Sequence, residues 1–401
     1  RRWRTAVLRE SLASILDRPR QPAIQLVTLT GPGGVGKTRL AERIAAEMTA
    51  TPGFELVWIS LAPLEATEQV AQAIGQQFGL KGVGPTSLPD RLASRLLGRA
   101  VLIVLDNFEH LLSAASMTAE LLEACPTLTV LATSRGPLNL SWEHVMAIDP
   151  LPLPAAHASR LEIESSPAVR LFLERASRHD QGHARSLEEL RTIGTICQRL
   201  DGLPLAIELA APWSRLLTAT ELLTRLERRL PLLAGGPTDS PARLHSMSNA
   251  IDWSYALLDY DARRLFRQLS IFPGEFTLEA AEFLATSLQQ ESTAGDRTEE
   301  AAGPLAVLSA LANLVNQGVV RRAEPHGFRM LQTIREYGLD LLQDYGEQDR
   351  CGRAHLEWCI SRTIDPVFDP LDGYLRGPAG QIDDQADLAA ALSFALERKE
   401  V

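Results

Sequence analysis

The residues from Gly31 to Thr38 form a glycine-rich loop that ends in a lysine and a hydroxyl side chain. They read Gly-Pro-Gly-Gly-Val-Gly-Lys-Thr, which fits the pattern G-x-x-x-x-G-K-[ST]. An apolar run at 24–29 precedes the loop and a helical pattern at 39–48 follows it. A strand, such a loop and a helix together place backbone amides and the positive end of the helix around a phosphate. We therefore expect a bound nucleoside triphosphate; a plain glycine turn is the alternative.

Asp106 ends the apolar run Val101–Leu105, which predicts a strand beside the loop. A carboxylate at the carboxyl end of such a strand can reach Mg²⁺ directly or through water. The hydroxyl of Thr38 would be a second ligand, and Lys37 would neutralise the β- and γ-phosphates. Asp106 and Thr38 are therefore the predicted metal ligands, with a helix cap or turn as the alternative for Asp106.

Asn107 follows this aspartate, and Glu109 is the nearest spare carboxylate. An amide cannot accept a proton at neutral pH, so Asn107 can only orient a water molecule. Spacing alone leaves two interpretations of Glu109 open, a catalytic group facing the γ-phosphate and a solvated surface residue. The absence of an acid at 107 predicts slow hydrolysis, which suits a switch better than a motor.

Arg135 and Pro204 lie in two further motifs. Arg135 follows the strand pattern at 129–132, where its guanidinium could contact the γ-phosphate or form an ordinary surface salt bridge. Pro204 lies in Gly202-Leu203-Pro204-Leu205. Its ring could press on the adenine, but the residues alone favour a helix stop and restart as the explanation of the motif.

Five apolar runs predict strands, and helical patterns alternate with them. The alternation predicts a parallel sheet with helices on both faces. The expected strands are 26–29, 56–61, 101–105, 129–132 and 145–148, and the expected helices are 39–48, 67–78, 88–97 and 113–124. An amphipathic opening helix is expected around Trp3 to Leu16.

Proline- and glycine-rich segments predict the domain boundaries. The first is Asp149–Pro154, in which three prolines alternate with other residues, and the second begins at Gly235. Two short strand patterns, 319–322 and 328–331, close a helical stretch and suggest a winged helix, while 289–303 is polar and predicts a loop. We expect a P-loop domain at 1–150, a small helical domain at 151–236, a winged-helix domain at 237–345 and a helical region from 346 to 401.

The bulk composition is that of a globular protein. It is 45% hydrophobic and 22% charged over 401 residues, with a net charge of −10 that gives no sign of a nucleic-acid or anionic-membrane partner. The 4 cysteines are scattered, which is typical of reduced thiols in a cytoplasmic protein. No apolar stretch approaches membrane-spanning length. Because residue 1 is Arg, we suspect a fragment of a longer protein.

These motifs together resemble the STAND class of P-loop ATPases, and within it NB-ARC-like bacterial regulators. The blocks that carry the resemblance span about residues 1–345 and are TLTGPGGVGKTRLA (28–41), VLIVLDNFEHL (101–111), LATSR (131–135), GLPLAIELAA (202–211), AIDWSYALLDYDARRLFRQLSIFPGEFTLEAAEFL (250–284) and FRMLQTIREYGLDLL (328–342).

The resemblance implies an ASCE sheet of strand order 5-1-4-3-2, with the helical and winged-helix domains closing over ADP. Exchange for ATP would open the molecule and allow it to form homo-oligomers in response to an unknown signal ligand or protein. It also implies Asp106 as the Walker B acid, Arg135 as the sensor arginine and Pro204 as the adenine contact. The assigned residues for nucleotide binding are Gly31, Gly33, Gly34, Val35, Gly36, Lys37, Thr38, Arg39 and Pro204, and those for hydrolysis are Lys37, Asp106, Asn107, Glu109 and Arg135.

One departure concerns the winged-helix hairpin. Many relatives carry Met-His-Asp there, and the histidine holds the β-phosphate of ADP. This chain has Met330-Leu331-Gln332 instead, so Leu331 cannot make that bond.

The leading hypothesis is therefore a regulatory ATPase switch that binds ATP or ADP with Mg²⁺. Rival hypotheses are a DNA-directed ATPase of the AAA+ type, a metabolic P-loop kinase and a nucleotide-binding scaffold without hydrolysis. Charge argues against duplex binding, because residues 245–345 carry 8 Lys and Arg against 14 Asp and Glu.

Overall fold

The computed structural model describes most of the chain in ten segments. They are 25–49, 54–80, 87–96, 99–176, 185–226, 233–236, 244–292, 303–323, 327–364 and 384–398. The expected opening helix lies outside the described residues. The chain divides into two compact units, Arg1–Asp149 and Pro150–Val401. The finer division into four domains stays a prediction.

A parallel sheet forms the centre of the first unit. Its strands are β1 (Leu26–Thr30), β2 (Phe54–Ser60), β3 (Ala100–Asp106), β4 (Leu128–Thr133) and β5 (His144–Ala147). The 5 strands lie in the order β2-β3-β4-β1-β5, and every pairing is parallel. This is the order 5-1-4-3-2 that the resemblance implies, so the predicted P-loop fold is confirmed.

Burial along these strands follows their place in the sheet. β1 and β3 are internal strands and are buried along nearly their whole length, because apolar residues on both faces meet helices. β5 is an edge strand and is mostly exposed. β1 lies between β4 and β5, so Leu29 is opposite both Thr133 and Met146. The loop that follows β1 therefore leaves the sheet next to the carboxyl end of β4.

Four helices and two short 3₁₀ turns complete the described part of the first unit. The helices are α1 (Lys37–Thr49), α2 (Thr67–Gln77), α3 (Leu88–Leu96) and α4 (Ala115–Ala124), and the turns are Phe108–His110 and Leu112–Ala114. Their apolar residues join those of the strands in one buried cluster that includes Leu26, Ile74, Ile103 and Leu121. Burial of this cluster is the main stabilising contribution to the sheet.

The second unit is mainly helical. Its first helices are α5 (Arg160–Ser165), α6 (Pro167–Ala176), α7 (Leu187–Arg199), α8 (Pro204–Ala210) and α9 (Ala219–Arg225). Those that follow are α10 (Met247–Ala256), α11 (Tyr260–Leu269), α12 (Leu278–Ser292), α13 (Pro304–Asn316), α14 (Gln332–Asp344), α15 (Gln348–Ile364) and α16 (Asp384–Arg398). The helix α12 extends to Ser292, so the predicted loop at 289–303 is wrong in its first four residues. Residues 293–302 of that loop lie outside the described part of the chain.

A small antiparallel sheet lies among the later helices. It consists of β6 (Glu275–Phe276), β7 (Val320–Ala323) and β8 (Gly327–Met330), in the order β6-β8-β7. The sequence predicted the hairpin of β7 and β8 but not β6. Two residues are too few for a periodic pattern, and β6 forms because the Phe276 ring stacks on Phe328 with centroids 6.0 Å apart.

Candidate nucleotide-binding site

Backbone geometry explains the glycines of the loop between β1 and α1. Gly31 has φ +145°, and a Cβ atom there would lie 2.7 Å from the carbonyl oxygen of Ile148. Gly36 has φ +97°, directly before α1 begins at Lys37. Residues other than glycine rarely adopt these backbone angles, so glycine allows the loop to turn tightly. The turn keeps the backbone amides of the loop close to the start of α1.

Lys37 lies back across the loop that precedes it. Its Nζ donates hydrogen bonds to the carbonyl oxygens of Gly31 at 2.6 Å and Pro32 at 3.1 Å. The ammonium charge is thus held at the loop itself, where it can neutralise a bound phosphate.

The carboxylate of Asp106 connects the ends of β3 and β4 with the first helix, α1. Its Oδ1 accepts hydrogen bonds from the hydroxyls of Thr38 at 2.8 Å and Thr133 at 2.6 Å. Asp106 is only 5% exposed. A buried carboxylate in hydrogen-bonding contact with a hydroxyl at the start of α1 offers the hard oxygen donors that Mg²⁺ prefers. The side chains present therefore fit a magnesium ion.

Thr133 is a site residue that sequence reasoning missed. It ends β4, which lies next to β3, and its hydroxyl accepts a hydrogen bond from the backbone amide of Asn107 at 2.9 Å while it donates to Asp106. The residue thus fixes the orientation of the carboxylate. The strand order, once known, would have indicated it, because the ends of adjacent strands meet.

Asn107 follows the last residue of β3 and has an unusual backbone conformation. It has φ 68°, the left-handed conformation that asparagine tolerates better than most residues, and it starts the 3₁₀ turn Phe108–His110. Its Nδ2 donates to Oε1 of Glu109 at 3.2 Å. The turn buries Glu109, so the surface interpretation of that residue is wrong.

Glu109 and Arg135 form a buried ion pair. Nε of Arg135 lies 3.3 Å from Oε1 of Glu109, and each side chain is 4% exposed. Arg135 thus forms a salt bridge, but the pair is buried and is not the surface salt bridge of the alternative. Contact between Arg135 and the γ-phosphate stays a prediction. Burial raises the pKa of the Glu109 carboxyl, but the charges of Lys37 and Arg135 outweigh it and hold this pKa below 4.5. Glu109 is ionised at neutral pH.

Pro204 lies in the second unit, whereas the other assigned residues lie in the first. It is the first residue of α8, after the turn at Gly202, which has φ +64° and approaches the carbonyl oxygen of Leu151. The helix stop and restart that the sequence indicated as the alternative for this motif is therefore present. The adenine contact stays a prediction.

Two further properties concern the described residues as a whole. Among them, no group of three or more His, Cys, Asp or Glu side chains is arranged to hold a metal ion. No helix in this part of the chain has the length and apolarity that crossing a membrane requires.

A cleft of about 1120 Å³ lies in the second unit among α6, α7 and α9. Arg185, Glu189 and Arg215 line it, but none of the residues assigned from sequence does.

The first unit matches a known protein family. Residues 23–142 match the AAA domain family. The ORC2 protein of Aeropyrum pernix, solved as ADPNP-ADP complexes, has a TM-score of 0.50 at 14% identity over 85% of this chain and 94% of that chain. At that identity the likeness shows the fold alone.

Two mycobacterial proteins are similar over most of the chain. "Uncharacterized protein Rv0894" of Mycobacterium tuberculosis is 35% identical over 326 residues, which are 81% of this chain and 78% of that protein. "Putative HTH-type transcriptional regulator Rv0890c" of the same species is 38% identical over 329 residues, or 81% of this chain. The matched region is 34% of that regulator, so the chain spans about a third of its length.

The fold and the loop thus define a P-loop ATPase of the AAA-like type. The chain belongs to the same family as Rv0894.

Proposed function

We propose that this chain is a nucleotide-dependent switch that is off with ADP and on with ATP. We propose further that it acts as the switch within a regulator of transcription. The observation that carries the proposal is the 2.8 Å hydrogen bond between Thr38 and Asp106, which brings the two expected magnesium ligands together beside Lys37. The similarity to Rv0890c, which is named as a transcriptional regulator, supports the biological role. The resemblance to STAND and NB-ARC-like proteins supports the switch.

The residues divide into binding and hydrolytic roles. The amides of 31–36 would hold the phosphates together with Lys37, and Arg39 and Pro204 would contribute further contacts to the nucleotide. Mg²⁺, bound by Thr38 and Asp106, would neutralise charge on the β- and γ-phosphates.

Hydrolysis on this proposal is slow. Asn107 can orient a water molecule but cannot take its proton. Glu109 is the nearest remaining carboxylate, and Oε2 of this buried group has no hydrogen-bond partner among the described residues. That oxygen can accept a hydrogen bond from the attacking water, while the lowered pKa makes Glu109 a weak base.

The second unit would supply the moving parts and the oligomer contacts. Its small antiparallel sheet and the surrounding helices support the predicted winged helix. Leu331, at the exit of the hairpin, replaces the histidine that many relatives carry. A cytoplasmic location belongs to the same proposal. It is supported by Cys125, Cys197, Cys351 and Cys359, which are all free thiols.

The decisive experiment identifies the nucleotide that the purified protein carries. After acid denaturation, ion-exchange chromatography would separate ADP from ATP, and we expect about one ADP per chain. Light scattering with ADP and then with a non-hydrolysable ATP analogue should show a larger mass in the second case. An empty protein that binds neither nucleotide would defeat the proposal.

The same preparation separates the rival functions. Rapid release of phosphate in a single-turnover assay would favour an ordinary ATPase. Salt-dependent binding to duplex DNA would favour a DNA-directed ATPase. Tight nucleotide binding without any phosphate release would indicate a scaffold.

A further inference from the structure

Glu109 places a second negative charge beside the loop, apart from the predicted magnesium ligands. Asp106 directs its Oδ1 to two threonine hydroxyls. Glu109 instead accepts a hydrogen bond from Nε of Arg135 at 3.3 Å. Burial raises the pKa of the Glu109 carboxyl, but the charges of Lys37 and Arg135 together outweigh burial and lower it. The carboxylate therefore interacts with both cations that a third phosphate would need.

The surrounding structure holds this charge in place. Phe108, the preceding residue, is fully buried, and the following residue, His110, contacts the carbonyl oxygen of Leu64 through Nε2 at 2.9 Å. Asn107 donates to the same oxygen of Glu109 that meets Arg135. Both neighbours of Glu109 are thus anchored, so the carboxylate cannot swing out to solvent without breaking buried contacts.

A phosphate that binds at this site meets Lys37 and Arg135, whose charges already interact with the carboxylate of Glu109. ATP brings more negative charge than ADP, and the additional charge lies at the γ-phosphate. In a buried site, repulsion between like charges is much stronger than in water. Specificity can arise from such a repulsive element as well as from favourable contacts.

We propose that Glu109 sets the nucleotide preference of this site, because it is an internal anion that disfavours ATP relative to ADP. The inference rests on the proposed binding of nucleotide at Gly31–Thr38. It assigns to Glu109 a role in specificity, in addition to any contact with water. In this chain, which lacks the hairpin histidine at Leu331, the buried carboxylate provides a separate means of favouring ADP.

The test is the ratio of two dissociation constants measured by calorimetry. ADP and the β,γ-imido analogue of ATP are titrated, with Mg²⁺, into the wild-type chain and into Glu109→Gln. We expect the substitution to shift the ratio towards the ATP analogue by at least tenfold, equivalent to about 1.4 kcal/mol. Glu123→Gln, at an exposed position of α4, makes the same change of charge and should leave the ratio unaltered.

Three outcomes separate the possible failures. If the wild-type chain binds neither nucleotide, the proposed function is wrong. If both bind and the ratio in Glu109→Gln is unchanged, only the inference about Glu109 is wrong. A ratio that shifts towards ADP would also overturn it, because Glu109 would then orient Arg135 for the γ-phosphate.

Loss of the ion pair could unfold part of the preparation, but the design allows for this. Each ligand is titrated separately into the same preparation of a variant, so both dissociation constants refer to the same folded fraction. Their ratio therefore does not depend on that fraction. Glu109→Asp retains the charge and serves as a second variant, for which we expect a ratio closer to that of the wild type.

Discussion

The carboxylate of Asp201 caps a helix that begins 131 residues later, at Gln332. Its Oδ2 accepts hydrogen bonds from the backbone amide of Thr333 at 3.0 Å and from the Thr333 hydroxyl at 3.1 Å. Leu331, the residue directly before α14, has no side chain able to cap it. The contact therefore ties the turn before Pro204 to the exit of the hairpin within the second unit.

Removal of this cap should destabilise the second unit. We predict that Asp201→Gly lowers the free energy of unfolding by about 1 kcal/mol, since the amide of the buried Thr333 loses its acceptor. Glycine suits the φ of 53° at this position, so the change adds no backbone strain. Urea unfolding would measure the difference.

Asn is the matched control at this position. Asp201→Asn keeps an acceptor oxygen and tolerates the left-handed conformation, so it should retain most of the stability. Equal losses in both variants would contradict a capping role and would instead indicate a purely electrostatic one.

Lys37→Ala should abolish tight nucleotide binding. A charge-assisted hydrogen bond contributes about 1.5–3 kcal/mol, so we expect affinity for ADP to fall roughly 10- to 100-fold. Fluorescence titration with a labelled ADP would measure the change. Arg43→Ala, which removes an exposed cation that pairs with Glu47 further along α1, is the control and should bind normally. Similar binding by both variants would show that the nucleotide lies elsewhere.

Asp106→Asn should remove the dependence of binding on Mg²⁺. The amide keeps the shape of the side chain but loses the charge that the ion requires, so the gain in affinity on adding Mg²⁺ should shrink by about tenfold or more. Binding measured in EDTA should change little. If Asp106→Asn still responds fully to Mg²⁺, another group must hold the ion. The control is Thr38→Ser, which keeps the hydroxyl and is expected to resemble the wild type.

The stability contributed by Glu109 should depend on pH. Its pKa is lowered on folding from the ordinary value of 4.5, so the folded protein favours the ionised form. That contribution is fully present above pH 4.5 and is lost as pH falls through the lower folded pKa. The difference in unfolding free energy between the wild type and Glu109→Gln should therefore shrink on acidification below 4.5.

Urea unfolding at a series of pH values would measure this difference. Glu123→Gln, which removes an exposed carboxylate of α4, is measured in parallel as the control for the change of charge. A gap between wild type and Glu109→Gln that widens in acid would show that Glu109 is protonated in the folded state.

Local patterns predicted most of the first unit because its signals are short in range. A buried strand such as β3 gives a continuous apolar run, and the loop at Gly31–Thr38 requires glycines at fixed positions. The edge strand β5 was also found, although it is exposed. By contrast, β6 is held by ring stacking between Phe276 and Phe328, residues far apart in the chain, and no local pattern indicates such a contact.

The sequence by itself determined the phosphate-binding loop, the carboxylate at Asp106 and the alternation of strands and helices, because each depends on neighbouring residues. Only the tertiary structure decided that Thr133 orients Asp106, that Glu109 is buried against Arg135, and that Asp201 caps α14. Each of these depends on which strand ends and turns come together, and that follows from the packing of the whole unit around its core.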